Sequence, residues 1–280
     1  MNYRSLLNIS SNELKEISIK SFLIDSEILL SKALDVKREN ILLNLEKKIN
    51  KNELLKFKKI LKKRKKNEPM AYILGKKEFW KTNFYVNSNV LIPRPDTEII
   101  VEEAIKRIRK KNYSNLLDIG TGSGCIIISI LKEIKNCKGT GIDLSLKAIK
   151  VAKTNAKIQQ LENRIKFIHS DIDNFFCNKY DMVISNPPYI NSINLSNLEK
   201  DVRNYEPKIA LNGGFDGFSE IKKVIKKSSI LIKKKGILIL EIGSEQFDRS
   251  KEILENNGFY VLKVLEDLSG KKRGIVSFRL

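Results

Sequence analysis

Through roughly the first 70 residues, apolar positions recur at helical spacing. Ile24, Ile28, Ala33 and Leu34, then Ile41, Leu42 and Leu45, then Leu54, Phe57 and Leu61 are separated by polar faces, a pattern that predicts an all-helical segment. Glu68-Pro69 breaks it. Two short aromatic and β-branched runs follow at 78–86 and 90–92, with Asn87-Ser88-Asn89 between them, which suggests a hairpin linker. From Asp96 onward the period alternates between helix and strand. Strands are expected at 115–119, 139–143, 165–169, 181–185, 236–242, 259–266 and 274–279, and helices at 125–134, 146–159, 219–232 and 246–256. Alternation of this kind implies an α/β fold, a doubly wound sheet with helices on both faces. The expected organisation is a helical domain over 1–74, a hairpin linker over 75–95 and an α/β domain over 96–280.

Composition narrows the class. The 280 residues are 41% hydrophobic and 31% charged, which fits a soluble globular chain with a substantial core. No stretch approaches the roughly 20 apolar residues that span a membrane. The N-terminus lacks a basic-then-apolar signal pattern, so a cytoplasmic location is expected. Cys125, Cys137 and Cys177 have no Cys-x-x-Cys spacing and read as reduced thiols, neither a disulfide set nor a metal site. His169 is the only histidine and reads as a packed or edge residue. A formal net charge of +20 attracts phosphates, yet the lysines are spread along the whole chain. Their densest run, residues 58–66, also fits the solvated face of a helix with Leu54, Phe57 and Leu61 inward.

The most informative segment is Asn186-Pro187-Pro188-Tyr189, directly after the apolar run 181–185. A residue before proline is pushed toward extended backbone, and each proline has φ fixed near −65°. The segment is therefore stiff. The Asn186 side-chain oxygen and the proline carbonyls are acceptors with no N–H in the Pro-Pro pair to compete for them. A planar NH2 group fits there, with Tyr189 packing on its face. A proline-terminated strand and turn is the plainer alternative.

Three further features fall at predicted strand ends. Gly120-Thr121-Gly122-Ser123-Gly124 follows the strand at 115–119 and precedes a helix, where glycines let the backbone turn tightly and approach a ligand. Its spacing is Gly-x-Gly-x-Gly, not the Gly-x-Gly-x-x-Gly of a dinucleotide fingerprint, which leaves open which nucleotide is bound. Asp143 ends the next strand, placed either to accept ribose hydroxyls or to cap the following helix. Asp171 follows the third strand, as an acceptor for an adenine amino group or as a simple loop carboxylate. With strand order 3-2-1-4-5, Asn186 lies next to the glycine turn and the two features share one cleft.

These motifs resemble the class I S-adenosylmethionine-dependent methyltransferases that carry Asn-Pro-Pro-Tyr, and within them the peptide chain release factor glutamine methyltransferases. Nucleobase amino methyltransferases share Asn-Pro-Pro-Tyr. Leu91-Ile92-Pro93-Arg94-Pro95-Asp96-Thr97-Glu98 is more specific to the release factor branch. It is supported by residues 75–80, Glu206-Pro207-Lys208-Ile209-Ala210-Leu211, residues 213–217, Glu241-Ile242-Gly243 and the helical segment at 25–30. The resemblance implies a Rossmann-like methyltransferase sheet behind a small N-terminal helical substrate-recognition domain. It further implies methylation of the glutamine amide nitrogen in the Gly-Gly-Gln loop of class I release factors, with S-adenosylmethionine as cofactor.

By the same analogy Gly120, Thr121, Gly122, Ser123 and Gly124 lie against the methionine part of the cofactor, Asp143 binds its ribose and Asp171 lies near its adenine. Ile172 stands where relatives often carry an aromatic or leucine. Asn186, Pro187 and Tyr189 are the expected catalytic residues, with Pro188 completing the substrate clamp; Asn186 also borders the cofactor. Arg94 and Glu98 are expected in structural or substrate-loop roles. No base is visible near the motif, so direct in-line transfer is expected, with neither metal nor covalent intermediate. A monomer suffices, and neither nucleic acid nor membrane is required. The rival readings are an adenine or guanine amino methyltransferase and a nucleotide-binding adaptor that holds RNA.

Overall fold

In the computed structural model, which describes residues 1–176 and 179–280, the helical period of the N-terminal segment becomes α1 (Tyr3–Glu16), α2 (Phe22–Leu34), α3 (Arg38–Leu43), α4 (Lys51–Lys65) and α5 (Met70–Leu74). Reciprocal capping boxes start α1, through Asn2 and Ser5, and α4, through Asn50 and Glu53; each satisfies amides the helix itself leaves unpaired. Their shared core holds Leu14, Leu29, Leu30, Ile41 and Phe57. Two residues expected on the apolar faces, Ile24 and Leu42, are exposed. The buried stripe of α2 is Asp25, Ser26, Leu29, Leu30 and Ala33, and Ile24 points away from it. The basic run of α4 is more than a solvated face, because Arg64 turns inward and pairs with buried Asp25 at 2.7 Å. These helices form one compact unit, Met1–Gly75, which also includes Glu199–Tyr205. Within it, Tyr205 Oη donates to the Lys66 carbonyl at 2.8 Å.

The other unit comprises Lys76–Leu198 and Glu206–Leu280. It opens with a hairpin of β1 (Lys76–Phe79) and β2 (Thr82–Tyr85), whose Phe79 and Phe84 meet edge to face in the core of this unit. The turn falls at Trp80 and Lys81, both with positive φ, as a two-residue hairpin loop requires. It does not fall at Asn87–Asn89, and Val90–Ile92 is not a strand. There the Asn87 side chain accepts from the Asn89 amide at 3.0 Å, and the Ile92 amide donates to Glu206 Oε2 at 3.2 Å. Side chains thus satisfy amides that a ladder would have used.

A 3-10 turn, Pro95–Thr97, leads into α6 (Glu98–Lys111), then β3 (Asn115–Ile119), α7 (Cys125–Glu133), β4 (Lys138–Asp143), α8 (Leu146–Ile158), β5 (Ile165–His169) and β6 (Tyr180–Ser185). After α9 (Lys200–Tyr205), which belongs to the helical unit, come α10 (Ser219–Leu231), β7 (Ile232–Glu241), α11 (Phe247–Asn256), β8 (Phe259–Glu266) and β9 (Lys272–Arg279). The strand order is β5-β4-β3-β6-β7-β9-β8, parallel up to β7, with β9 antiparallel to both its neighbours. The first five strands of this sheet therefore have the expected 3-2-1-4-5 order.

Alternate residues of these strands enter two cores, one on each face. Leu116, Met182, Ile184 and Ile239 pack with Ile105 and Ile127, whereas Leu117, Val183, Leu238 and Leu240 pack with Ile225 and Leu254. Burial on both faces explains why the central strands read as nearly continuous apolar runs. No helix among the described residues is long and apolar enough to cross a membrane. Cys125 and Cys137 are free and buried; Cys177 lies outside the described residues.

Candidate active site

Register puts the predicted residues at one edge of the sheet. Ile119 pairs with Ser185 on β6 and with Ile142 on β4, and Asp143 pairs with His169 on β5. Gly120, Asn186 and Asp143 therefore leave neighbouring strands at one level, at the carboxyl ends where open α/β sheets bind ligands.

The glycine turn is built by positive φ at Gly120, Gly122 and Gly124. At Gly124 a Cβ would come within 2.9 Å of Ile128 Cδ1, so that position is set by packing as well as by backbone angle. The Gly120 and Thr121 amides donate to the Ile142 carbonyl at 2.9 Å each. The Gly122 amide donates to Asp143 Oδ2 at 2.8 Å, and the Ser145 amide to Oδ1 at 2.8 Å. Each Asp143 oxygen keeps a further acceptor position. Ser145, not Asp143, caps α8, its Oγ accepting from the Ala148 amide. Burial pushes the Asp143 carboxyl above its usual range, against the pull of those two amides. Asp171 Oδ1 accepts from the Asp173 amide at 2.8 Å. His169 is exposed on the edge strand, its Nε2 2.9 Å from the Leu144 carbonyl.

The segment after β6 is held from several directions. Asn186 Nδ2 donates to Thr97 Oγ1 at 3.2 Å, which joins it to the motif at 91–98. In the same motif Arg94 Nη2 bonds Glu206 Oε1 at 2.5 Å, and Glu98 Oε1 accepts from the Trp80 amide at 2.8 Å. Gln246 Nε2 donates to the carbonyls of Tyr189 and Gly217, while its Oε1 accepts from the Gly243 amide. One side chain thus ties three sequence motifs together. Gly213 lies so close that a Cβ would stand 2.8 Å from the Pro188 carbonyl oxygen and Tyr189 Cα.

A cavity of about 350 Å³ opens at this edge. Gly120, Gly122, Asp143, Asp171, Asn186, Pro187 and Pro188 line it, with Ile119, Leu144, Ala148 and Ile172 as apolar wall. Thr121, Ser123, Gly124 and Tyr189 are not on its surface. Thr121 is buried and donates to Asp118 Oδ2 at 2.7 Å. The Ser123 carbonyl accepts from Asn155 Nδ2. Tyr189 packs against the second core, where burial pushes its hydroxyl up to about 12.

Two buried carboxyls have no role in the sequence reading, although Glu241 falls inside one of its motifs. Asp118, on β3, has no partner for Oδ1, and burial pushes it up to about 7. Glu241, at the end of β7, has no partner for Oε2, and burial pushes it up to about 7 as well, against the pull of the Thr97 and Asn186 side chains. Thr97 and Gln246 act only through tertiary contacts, and a threonine inside a motif or a glutamine at a helix start carries no signal of them in the sequence.

Comparison with known proteins finds relatives over nearly the whole chain. A family model described as Methyltransferase small domain matches residues 97–200, and one described as PrmC N-terminal domain matches residues 5–75. A bifunctional methyltransferase of Rickettsia felis is 35% identical over 98% of this chain and 57% of its own length, so the chain spans little more than half of that relative. A release factor glutamine methyltransferase of Clostridium acetobutylicum is 38% identical over 95% of this chain and 94% of its own. A methyltransferase structure from Pyrococcus furiosus shares the fold, with a TM-score of 0.52 at 15% identity over 70% of this chain and 88% of that one. At 38% identity, with the relative from Clostridium acetobutylicum matched nearly end to end, the chain belongs to the release factor glutamine methyltransferase family.

Proposed function

We propose that this chain methylates the side-chain amide nitrogen of the glutamine in the Gly-Gly-Gln motif of class I peptide chain release factors, with S-adenosylmethionine as methyl donor. The observation that carries the reading is the single cavity that Asn186, Pro187 and Pro188 share with Gly120, Gly122, Asp143 and Asp171. It brings the acceptors of Asn186 and Pro187 into one space with the carboxylates of Asp143 and Asp171. Family membership supports a protein glutamine over a nucleobase as the acceptor.

The residues present fit the cofactor. Asp143 keeps acceptor capacity on both oxygens for a ribose diol. Leu144, Ala148 and Ile172 offer an apolar wall for a purine, and Asp171 an acceptor for its amino group. Gly120 and Gly122 present backbone with no side chain in the way. When bound, S-adenosylmethionine supplies an electrophilic methyl group on a sulfonium leaving group.

A carboxamide nitrogen is a weak nucleophile because its lone pair is delocalised into the carbonyl. Asn186 Oδ1 and the Pro187 carbonyl accept its two hydrogens, fix its plane and favour the positive charge that builds on nitrogen as the new bond forms; the N-methylated amide cation is strongly acidic and loses one of those protons to water, with no dedicated base. The stiffness of Pro187-Pro188, braced by Gly213 and Gln246, keeps both acceptors in place without reorganisation. Tyr189 holds the segment by packing into the core.

The test is incubation with labelled S-adenosylmethionine and an unmodified class I release factor. Label is expected on the release factor. Asn186→Ala should remove turnover while cofactor affinity, read by calorimetry, stays within about threefold. Label on nucleic acid alone would overturn the proposal.

A further inference from the structure

An asparagine side chain has two ends of nearly equal shape, and only one is useful here. If its NH2 faced the cavity, it would meet the substrate's NH2 as donor against donor. Something must fix the amide the other way, and three elements converge behind it. Thr97 Oγ1, from the 3-10 turn before α6, accepts from Asn186 Nδ2 at 3.2 Å. Glu241, at the end of β7, follows Leu240, which pairs with Ser185 in the parallel ladder, so it stands beside Asn186 at the same level of the sheet edge. It is 2% exposed, does not line the cavity, and its Oε2 is buried without a partner. A carboxyl so placed cannot touch the substrate, but it faces the residue that does.

We propose that Glu241, acting with Thr97, is a positioning residue that holds the NH2 of Asn186 away from the cavity and so leaves Oδ1 as the acceptor for the substrate amide. The inference rests on the role given to Asn186 above. An ionised carboxylate only accepts. The Thr97 hydroxyl must then donate to Glu241 and accept from Asn186, which sets the direction of the whole chain of bonds. A protonated Glu241 can donate instead. The hydroxyl can then turn, and the order that fixes Asn186 is lost.

Ionised and neutral forms exchange near neutral pH, since burial raises this carboxyl to about 7. Asp96 adds to the rise, while Arg273 and the hydrogen bonds from Thr97 and Asn186 oppose it. Tyr189 and Cys125 also feel the Glu241 charge, both being pushed up to about 12, mainly by their own burial; both stay neutral in the relevant range. Asp96 itself pairs with Arg273 at 3.2 Å.

The experiment measures kcat and KM for methylation of an unmodified release factor from pH 5.5 to 9, with full-length wild type, Glu241→Gln, Thr97→Val and Thr97→Ser. Wild-type kcat is expected to fall on the acid side of neutrality. Glu241→Gln should lower kcat at pH 8 by about 10- to 100-fold, the scale of a misplaced catalytic group, and should abolish the acid limb. KM for S-adenosylmethionine should stay within about twofold. Thr97→Val should lose a similar factor, and Thr97→Ser should restore most of it. An unchanged kcat and acid limb in Glu241→Gln, or a loss confined to KM, would overturn the inference. Should Glu241→Gln fail to fold, the Thr97 pair decides, because equal losses in Val and Ser also overturn it. A wild type that binds S-adenosylmethionine yet never labels the release factor would defeat the proposed function, and the inference with it.

Discussion

Asp118 should make the fold measurably less stable as pH rises through neutrality. Its carboxyl is fully buried on β3, bonded to Thr121 through Oδ2 and unpartnered at Oδ1. Burial raises it from 3.8 to about 7, and the Asp143 charge adds to the rise against the Thr121 bond. The folded state therefore binds this proton more tightly than the unfolded chain does. Below about pH 4 the group is neutral in both states and costs nothing. Between pH 4 and 7 only the unfolded chain has released the proton, and stability falls. At about 1.4 kcal/mol per pH unit, roughly 3 kcal/mol is lost between pH 5 and pH 8. The variant Asp118→Asn keeps the shape and an acceptor for Thr121 but cannot ionise. Urea unfolding of both proteins at pH 5 and pH 8 should show the variant gaining on wild type by about 3 kcal/mol across that interval. A difference that does not change with pH would refute the reasoning, because every other titrating group is common to both chains.

Other expectations follow from packing. Gly120 and Gly124 share positive φ, but a Cβ meets nothing within 4 Å at the first and Ile128 at 2.9 Å at the second. Gly120→Ala should cost about 1 kcal/mol of backbone strain, and Gly124→Ala about 1–3 kcal/mol more, read by denaturant midpoints. Arg64→Ala strands the buried Asp25 carboxylate and should cost about 3–5 kcal/mol; the double replacement Asp25→Leu with Arg64→Met should recover most of it in thermal unfolding.

The sheet was legible because its strands are buried on both faces and are set apart by helices of clear period. Sequence also located Gly120, Asp143, Asp171 and Asn186, each at a strand end with a chemical reason to be there. The hairpin was misplaced because Trp80 and Lys81, neither of them a usual turn residue, adopt left-handed backbone, while Asn87 to Asn89 carries the usual turn composition without forming the hairpin. Arg64 inside a lysine run gave no hint that it pairs with Asp25, 39 positions away. The supports of Asn186 were hidden for the same reason: Thr97, Glu241 and Gln246 matter through long-range contacts, which local pattern does not encode.

The central claim is that the clamp formed by Asn186 and Pro187 receives a glutamine amide. Mass mapping of a class I release factor after incubation with this protein and S-adenosylmethionine tests it most directly. One added methyl group is expected, on the side-chain nitrogen of the Gly-Gly-Gln glutamine, absent when Asn186→Ala replaces the wild type. A methyl group on any other residue, or the same product from Asn186→Ala, would contradict it.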